Sequence, residues 1–327
     1  MNLTIIGGGG WGTALAIVLS PKFRVIRMWL HEPDLADRMR VRRENDLFLP
    51  GVHIPENVGV GTSLEWALEG ADIVLGAMPS QHARELYRSV KQILPERVTL
   101  ASATKGIERG SLLRISEVIA ETTGRTAAVL SGPTFAREVA RGEPAAVVIA
   151  CTDLALAERI QKAFSGPTFR LYTNPDPIGV EVGAALKNVV AIAAGVCTGL
   201  GLGSNTLAAL ITRGLAEITR LAVAMGGQAK TLSGLAGLGD LVLTCGGDLS
   251  RNRKVGLELA AGRRLPEILA SMKMVAEGVE TCAAAVALGA KLGVDLPIIQ
   301  EMHAVLGGIK TPLEALRELM DRPLKAE

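Results

Sequence analysis

Two lysines, an aspartate and an arginine occupy positions where charge is either costly to bury or well placed to meet a ligand. Lys187 interrupts the apolar helix-period run of residues 180–190, so an ammonium there loses hydration. Desolvation lowers the pKa of such a group, and a second lysine nearby lowers it further, which lets it exchange protons near neutral pH. The bland alternative is a lysine that snorkels to water or pairs with Glu181. Lys105 stands in Ala103-Thr104-Lys105-Gly106, just past an expected parallel strand, where open α/β sheets place ligands. Asp240 ends the run Gly234-Leu235-Ala236-Gly237-Leu238-Gly239-Asp240-Leu241 and can orient an active lysine, or simply form a turn. Arg251, between Ser250 and Asn252, offers a planar fork for phosphate, although a single arginine is as readily a surface residue. Reduction of a carbonyl creates an alkoxide that needs a proton and local positive charge. The four histidines, His31, His53, His82 and His303, are poorly placed for that task, so a lysine is the better candidate.

A cofactor loop opens the chain. Gly7, Gly9 and Gly12 stand in G-x-G-x-x-G register between a strand and a helix. In that setting Gly7 permits the turn, Gly9 lets backbone approach a pyrophosphate, Gly12 lets the helix pack on the strand, and helix-start amides hold the anion. Four successive glycines also suit a merely flexible loop, but placement within a βαβ unit favours a dinucleotide. At the end of the second strand Glu32 favours NAD, whereas His31 and the following Arg38, Arg40, Arg42 and Arg43 can meet a 2′-phosphate. NADP with NAD tolerated is the expectation, against the alternative that these arginines form a solvated helix face. Residues 131–136, Ser131-Gly132-Pro133-Thr134-Phe135-Ala136, leave another strand for a helix. Their amides and the Thr134 hydroxyl can bind an anion or carbonyl, or form a plain capping turn.

The elements that must position these groups follow from the apolar pattern. Strands are expected at 3–6, 24–30, 72–77, 98–103, 127–130, 145–150 and 169–172, with helices between them at 12–19, 35–43, 83–93, 112–122, 135–140 and 154–163. Residues 45–62 read as irregular and proline-punctuated. The turn cluster Thr173-Asn174-Pro175-Asp176-Pro177 then ends the alternation. Beyond it helices are expected at 179–199, 207–225, 254–261, 280–292, 298–306 and 313–320. The fold class is α/β: a mostly parallel, Rossmann-like sheet domain over residues 1–176 and an all-α domain over 177–327.

With 327 residues and 48% hydrophobic content, the chain has material for two cores, which excludes a disordered or fibrous protein. A net charge of +2 supplies no broad field for nucleic acid or an anionic membrane, and 3% aromatic content is too little for base stacking. Cys151, Cys197, Cys245 and Cys282 lack C-x-x-C spacing, so neither a redox pair nor a metal is expected, and a reducing cytoplasm suits them. The start reads as a strand, not a signal peptide, and polar residues and glycines from Thr198 to Thr206 break the longest apolar stretch, against a membrane span.

Taken together, these segments resemble the NAD(P)-dependent glycerol-3-phosphate dehydrogenases of bacterial type. The resemblance covers nearly the whole chain through the loop Gly7 to Ala16, Ala103 to Gly106, Ser131 to Ala136, Leu186-Lys187-Asn188-Val189, Leu210-Ile211-Thr212-Arg213-Gly214, Ala236 to Leu241 and Ser250-Arg251-Asn252. It implies reversible reduction of dihydroxyacetone phosphate to sn-glycerol 3-phosphate for phospholipid synthesis, and commonly a homodimer. Lys187 matches the proton donor or acceptor, tuned by Lys105 and Asp240. Lys105, Gly132, Thr134, Lys187, Asp240, Thr244, Ser250, Arg251 and Asn252 match substrate positions. Gly10, Trp11, His31, Lys105, Ala136, Arg251, Val275 and Glu277 match cofactor positions. Gly8, Gly10 and Leu30 depart from the commonest pattern, the last where a small residue often precedes the His or Arg. Two other readings stay open: another lysine-dependent Rossmann reductase of a hydroxy acid or sugar phosphate, and a non-catalytic NAD(P)H sensor.

Overall fold

A computed structural model describes residues 1–272 and 274–324. They fall into two compact units, Met1–Lys105 with Leu113–Glu181, and Gly106–Leu112 with Val182–Glu327.

The first unit holds strands β1 (Asn2–Ile6), β2 (Val25–Trp29), β3 (Glu44–Asn45), β4 (Leu49–His53), β5 (Val58–Gly61), β6 (Ile73–Gly76), β7 (Thr99–Ser102), β8 (Ala127–Ser131), β9 (Ala145–Ala150) and β10 (Phe169–Asn174). Its helices are α1 (Gly10–Leu19), α2 (Pro33–Arg42), α3 (Leu64–Leu68), α4 (Ala83–Val90), α5 (Ile115–Thr123), α6 (Ala136–Ala140) and α7 (Leu154–Phe164). Eight strands form one sheet in the order β10-β9-β8-β7-β6-β1-β2-β5, parallel except where β8 meets β9. Strand alternation sends Leu3 and Ile5 into a core with Leu15, Leu35, Met39 and Phe164, and sends Ile6 to the opposite face with Leu68, Tyr87 and Ile119. Helices therefore cover both faces, as expected of this fold. Strand order reverses between β1 and β6, and the loops after β1, β6, β7 and β8 leave the same sheet edge, where such folds bind ligands.

The segment read as irregular contains the hairpin β3-β4 and the edge strand β5. Val58-Gly59-Val60-Gly61 looks like a loop because of its glycines. In fact Val58 and Val60 are buried, and a methyl at Gly61 would lie 2.8 Å from the Trp66 ring, which occupies the glycine face. The helix expected from residue 112 starts later, at Ile115, because Leu112 has a left-handed backbone (φ 60°) and Arg114 caps the helix.

The second unit is helical. Helix α8 (Pro177–Gly199) begins in the first unit and continues into the second, followed by α9 (Ser204–Ala224), α10 (Ala229–Leu232), a π-helical turn at Leu235–Gly239, α11 (Asp240–Gly246), α12 (Arg251–Ala260), α13 (Leu265–Ala270), α14 (Glu277–Leu292), α15 (Pro297–Leu306) and α16 (Pro312–Met320). Among the described residues α8 alone is long and apolar enough to cross a membrane, but its apolar window is entirely buried, making it the core of this unit. Glycines let backbones touch there: a methyl at Gly195 would lie 1.9 Å from the Arg253 carbonyl oxygen, and one at Gly256 1.9 Å from that of Ile192. Helix α12 thus lies directly against α8, which fixes the residues at its start relative to Lys187.

Candidate active site

The loop after β1 has the shape its glycines require. Gly7 has φ +120°, and a methyl there would lie 2.6 Å from the Ala77 carbonyl oxygen; one at Gly12 would lie 1.8 Å from that of Gly7. Gly7 excludes a side chain by strain and by contact, Gly12 by contact alone. A methyl at Gly9, by contrast, would meet nothing within 4 Å. Helix α1 starts there without a side-chain cap, so its first amides face an open approach, and the indole Nε1 of Trp11 is buried without a partner. Uncapped amides at a helix start suit a pyrophosphate, so these residues fit a dinucleotide. Gly10 opens this helix, and Ala136 opens α6, which packs on α1.

The departures from the usual loop compensate one another. A methyl at Gly8 would lie 2.2 Å from Cγ of Leu30, so the extra glycine makes room for the larger residue. Asn45, fully buried, has no counterpart among the residues expected from sequence; its Nδ2 donates to the Gly8 carbonyl at 2.9 Å and to Thr13 Oγ1 at 2.8 Å, pinning the loop. Nothing local in its sequence marks it, because the contact spans more than thirty positions. His31 is exposed beyond β2. The arginines grouped with it are engaged elsewhere: Arg38 and Arg42 with Asp46, Arg40 with Asp37, and Arg43 with the carbonyls of Ile54, Pro55 and Val58. The solvated-face alternative describes them better than a phosphate cluster.

Lys105 follows β7, and its Nζ donates to the Gly132 carbonyl at 3.0 Å and approaches Thr134 Oγ1 at 3.4 Å. Gly132 has φ +146°, and a methyl there would lie 2.9 Å from Cα of Val147, so the turn after β8 tolerates no side chain. The first unit therefore gathers Lys105, Gly132 and Thr134 at the carboxyl end of two neighbouring strands.

In the second unit Lys187 is 6% exposed, and Nζ donates to Asp240 Oδ1 and to Thr244 Oγ1, each at 2.8 Å. Thr244 donates in turn to the Asp240 carbonyl at 2.6 Å. The partner considered from sequence, Glu181, instead accepts from Arg114 and Ser116 in the first unit. Burial raises the Glu181 carboxyl, against the opposing Arg114 charge. Desolvation of Lys187 is thus offset by a carboxylate in direct contact, which a helical pattern alone does not reveal. The glycine-rich run before Asp240 is a π turn leading into α11.

Ser250 caps α12, its hydroxyl accepting from Arg253 N at 3.2 Å. Arg251 Nη1 donates to the Val275 carbonyl at 2.9 Å, and Asn252 Oδ1 accepts from Gly278 N at 3.0 Å. Protein crowding the Arg251 guanidinium pulls it below its ordinary value, and the charge of Glu277, first residue of α14, holds it up; since the side chain also keeps an exposed surface, solvent moderates the effect. Arg251, Val275 and Glu277 are thereby collected around the starts of α12 and α14.

Residues 2–157 match the N-terminal domain of NAD-dependent glycerol-3-phosphate dehydrogenase, and residues 176–317 match its C-terminal domain. The chain belongs to this family. It is 54% identical to glycerol-3-phosphate dehydrogenase [NAD(P)+] of Koribacter versatilis (strain Ellin345), covering 100% of this chain and 98% of that one. It is 51% identical to the protein of the same name from Geobacter sp. (strain M21), again over 100% and 98%. The crystal structure of glycerol-3-phosphate dehydrogenase from Coxiella burnetii superposes with a TM-score of 0.95 at 39% identity, covering 98% of this chain and 99% of that one. The mostly parallel sheet unit and helical unit expected from sequence are those of this oxidoreductase family, whose members are named for NAD or NADP.

Proposed function

We infer that the chain interconverts dihydroxyacetone phosphate and sn-glycerol 3-phosphate with NAD(P)(H). The observation that carries this reading is the buried Lys187 ammonium held by Asp240 and Thr244 in a chain of this family. When bound, the reduced nicotinamide supplies a hydride to the C2 carbonyl. Lys187 then gives its Nζ proton to the C2 oxygen, while Asp240 keeps the lysine charged beforehand and Thr244 fixes its direction. In the oxidative direction the neutral amine takes the hydroxyl proton back. Arg251, with Ser250 and Asn252, grips the phosphate. Lys105, Gly132 and Thr134 hold the substrate's oxygens. Gly7, Gly9, Gly10, Trp11, Gly12, His31, Lys105, Ala136, Arg251, Val275 and Glu277 are assigned to the dinucleotide, with residues 1–176 as the NAD(P)-binding domain and residues 177–327 as the substrate-binding domain, whose Arg251, Val275 and Glu277 reach the dinucleotide as well.

Substituting Lys187→Met should lower kcat by about 10²- to 10⁴-fold, the usual worth of a positioned acid, in an assay at saturating dihydroxyacetone phosphate. Near wild-type turnover would sink the assignment. Arg251→Ala should raise KM for the phosphorylated substrate far more than for its unphosphorylated analogue; an unchanged preference would contradict the clamp. The reading extends to a cytoplasmic homodimer supplying glycerophospholipid synthesis. Sedimentation showing only monomer would remove the dimer.

A further inference from the structure

Lys187 on α8 meets Asp240 at the start of α11, and two glycines lie where the π turn before α11 meets α8 and α10. Asp240 is the residue immediately after the π turn Leu235–Gly239, and Lys187 lies four residues, about one helical turn, beyond Gly183 on α8. A methyl at Gly183 would lie 2.9 Å from the Ala236 carbonyl oxygen, 3.0 Å from Cδ1 of Leu232 and 3.6 Å from Cα of Gly237. A methyl at Gly237 would lie 2.1 Å from the Leu232 carbonyl oxygen and 2.5 Å from its carbonyl carbon. The π turn therefore folds back onto the end of α10 at Gly237 and rests its backbone on α8 at Gly183. A π turn carries an extra residue relative to an α turn, so it rotates the succeeding residues about the helix axis. The first of these is Asp240, which is 1% exposed and whose carboxylate reaches Lys187 at 2.8 Å.

We propose that Gly183 and Gly237 are positioning residues for proton transfer: their missing side chains seat the π turn on α8 at the one separation that lets Asp240 and Thr244 hold the Lys187 ammonium. This rests on the assignment of Lys187 to proton transfer. Neither glycine touches a reacting atom. Neither has a positive φ, so its absence of a side chain serves close approach instead of an unusual backbone conformation.

The test is Gly183→Ala, followed by the ¹⁵Nζ ammonium resonance of Lys187, identified by its loss in Lys187→Met. The added methyl must push the Ala236 carbonyl away by a few tenths of an ångström, so the resonance should shift and weaken. Misplacement on that scale should lower kcat about tenfold, given that about 1 Å costs about 10²-fold. The pH-profile limb that disappears in Lys187→Met should move to lower pH, because an ammonium farther from its carboxylate gives up its proton more readily. KM for the dinucleotide should not change. Gly246→Ala, on α11 where a methyl meets nothing within 4 Å, should alter none of these. If Gly183→Ala does not fold, the double variant Gly183→Ala with Leu232→Ala clears the leucine contact and leaves the contacts with the Ala236 carbonyl and Gly237 Cα to be read. An unmoved resonance and an unmoved limb in a folded Gly183→Ala protein would overturn the proposal. An active Lys187→Met enzyme would instead overturn the proton-transfer assignment, and the resonance would still report whether the glycine seats the pair.

Discussion

The four arginines of residues 38–43 show how composition misleads when partners are hidden. Their sequence spacing suggests a cluster for a 2′-phosphate, yet Asp46, four residues beyond Arg42 and eight beyond Arg38, takes two of them at 3.0 Å. Asp46 lies beyond the end of α2 and just after β3, so it meets the arginines through the turn of the chain and not through helical spacing. The remaining basic group at the strand end is the exposed His31, next to Glu32; we propose that any preference for NADPH draws on that imidazole. Replacing His31 with Ala should lower the NADPH-to-NADH ratio of kcat/KM by about two- to fivefold, the worth of one exposed charge contact. Arg38→Ala should leave that ratio in place, since its guanidinium is held by Asp46. Parallel assays with both coenzymes read the outcome, and the reverse pattern would return the arginines to the phosphate site.

At the level of elements, α15 is anchored by a buried acid from α9. Glu217 is 2% exposed and accepts from Ile298 N at 2.8 Å and Ile299 N at 3.2 Å, covering amides that a helix start leaves open. Burial pushes its carboxyl up to about 7, with the two amides and Arg220 opposing and Asp295 adding to the rise. A folded value above the unfolded one means that the unfolded chain releases its proton first as pH rises. Stability at this site is therefore lost between about 4.5 and about 7 and is level above that range. The loss is at most about 3 kcal/mol, at about 1.4 kcal/mol per pH unit. Urea titrations across that range should show wild type falling relative to Glu217→Gln, which carries no titrating group there; parallel curves would refute the anchor's titration. The sequence discloses where α15 runs, through apolar periodicity and Pro297, but not this bond, which joins residues more than eighty apart. The same limit governs the site. Lys187 stands out because a charge breaks an apolar pattern, and Lys105 because it comes just after a strand. The choice of Asp240 over Glu181 as lysine partner needs the π turn, whose glycine-rich text reads as a loop until its packing on α8 is known.

For the whole molecule, the chain path is less simple than a single change of texture after Tyr172. Residues 106–112 belong to the second unit although both their flanks belong to the first, and α8 itself contains the passage from Glu181 to Val182. Strand and helix periodicity cannot report such an excursion, because it involves seven residues and no regular element of its own. Each unit nevertheless has its own structural logic: an open sheet with the glycine loop after β1, and helices around α8 that carry Lys187, Asp240 and Arg251. If ligands divide between the units as proposed, their stabilising effects should divide as well. A dinucleotide at about one hundred times its Kd adds about 2.7 kcal/mol to the state that binds it. Hydrogen exchange should then slow first in α1, in β1 and in the turn following β8. Adding sn-glycerol 3-phosphate to the oxidised-dinucleotide complex of Lys187→Met, which turns over slowly, should extend protection to α11 and to residues 106–112, the start of α12 being shared by both ligands. Protection of α11 by the dinucleotide alone, equal to that with both ligands present, would contradict the assignment of α11 to the substrate.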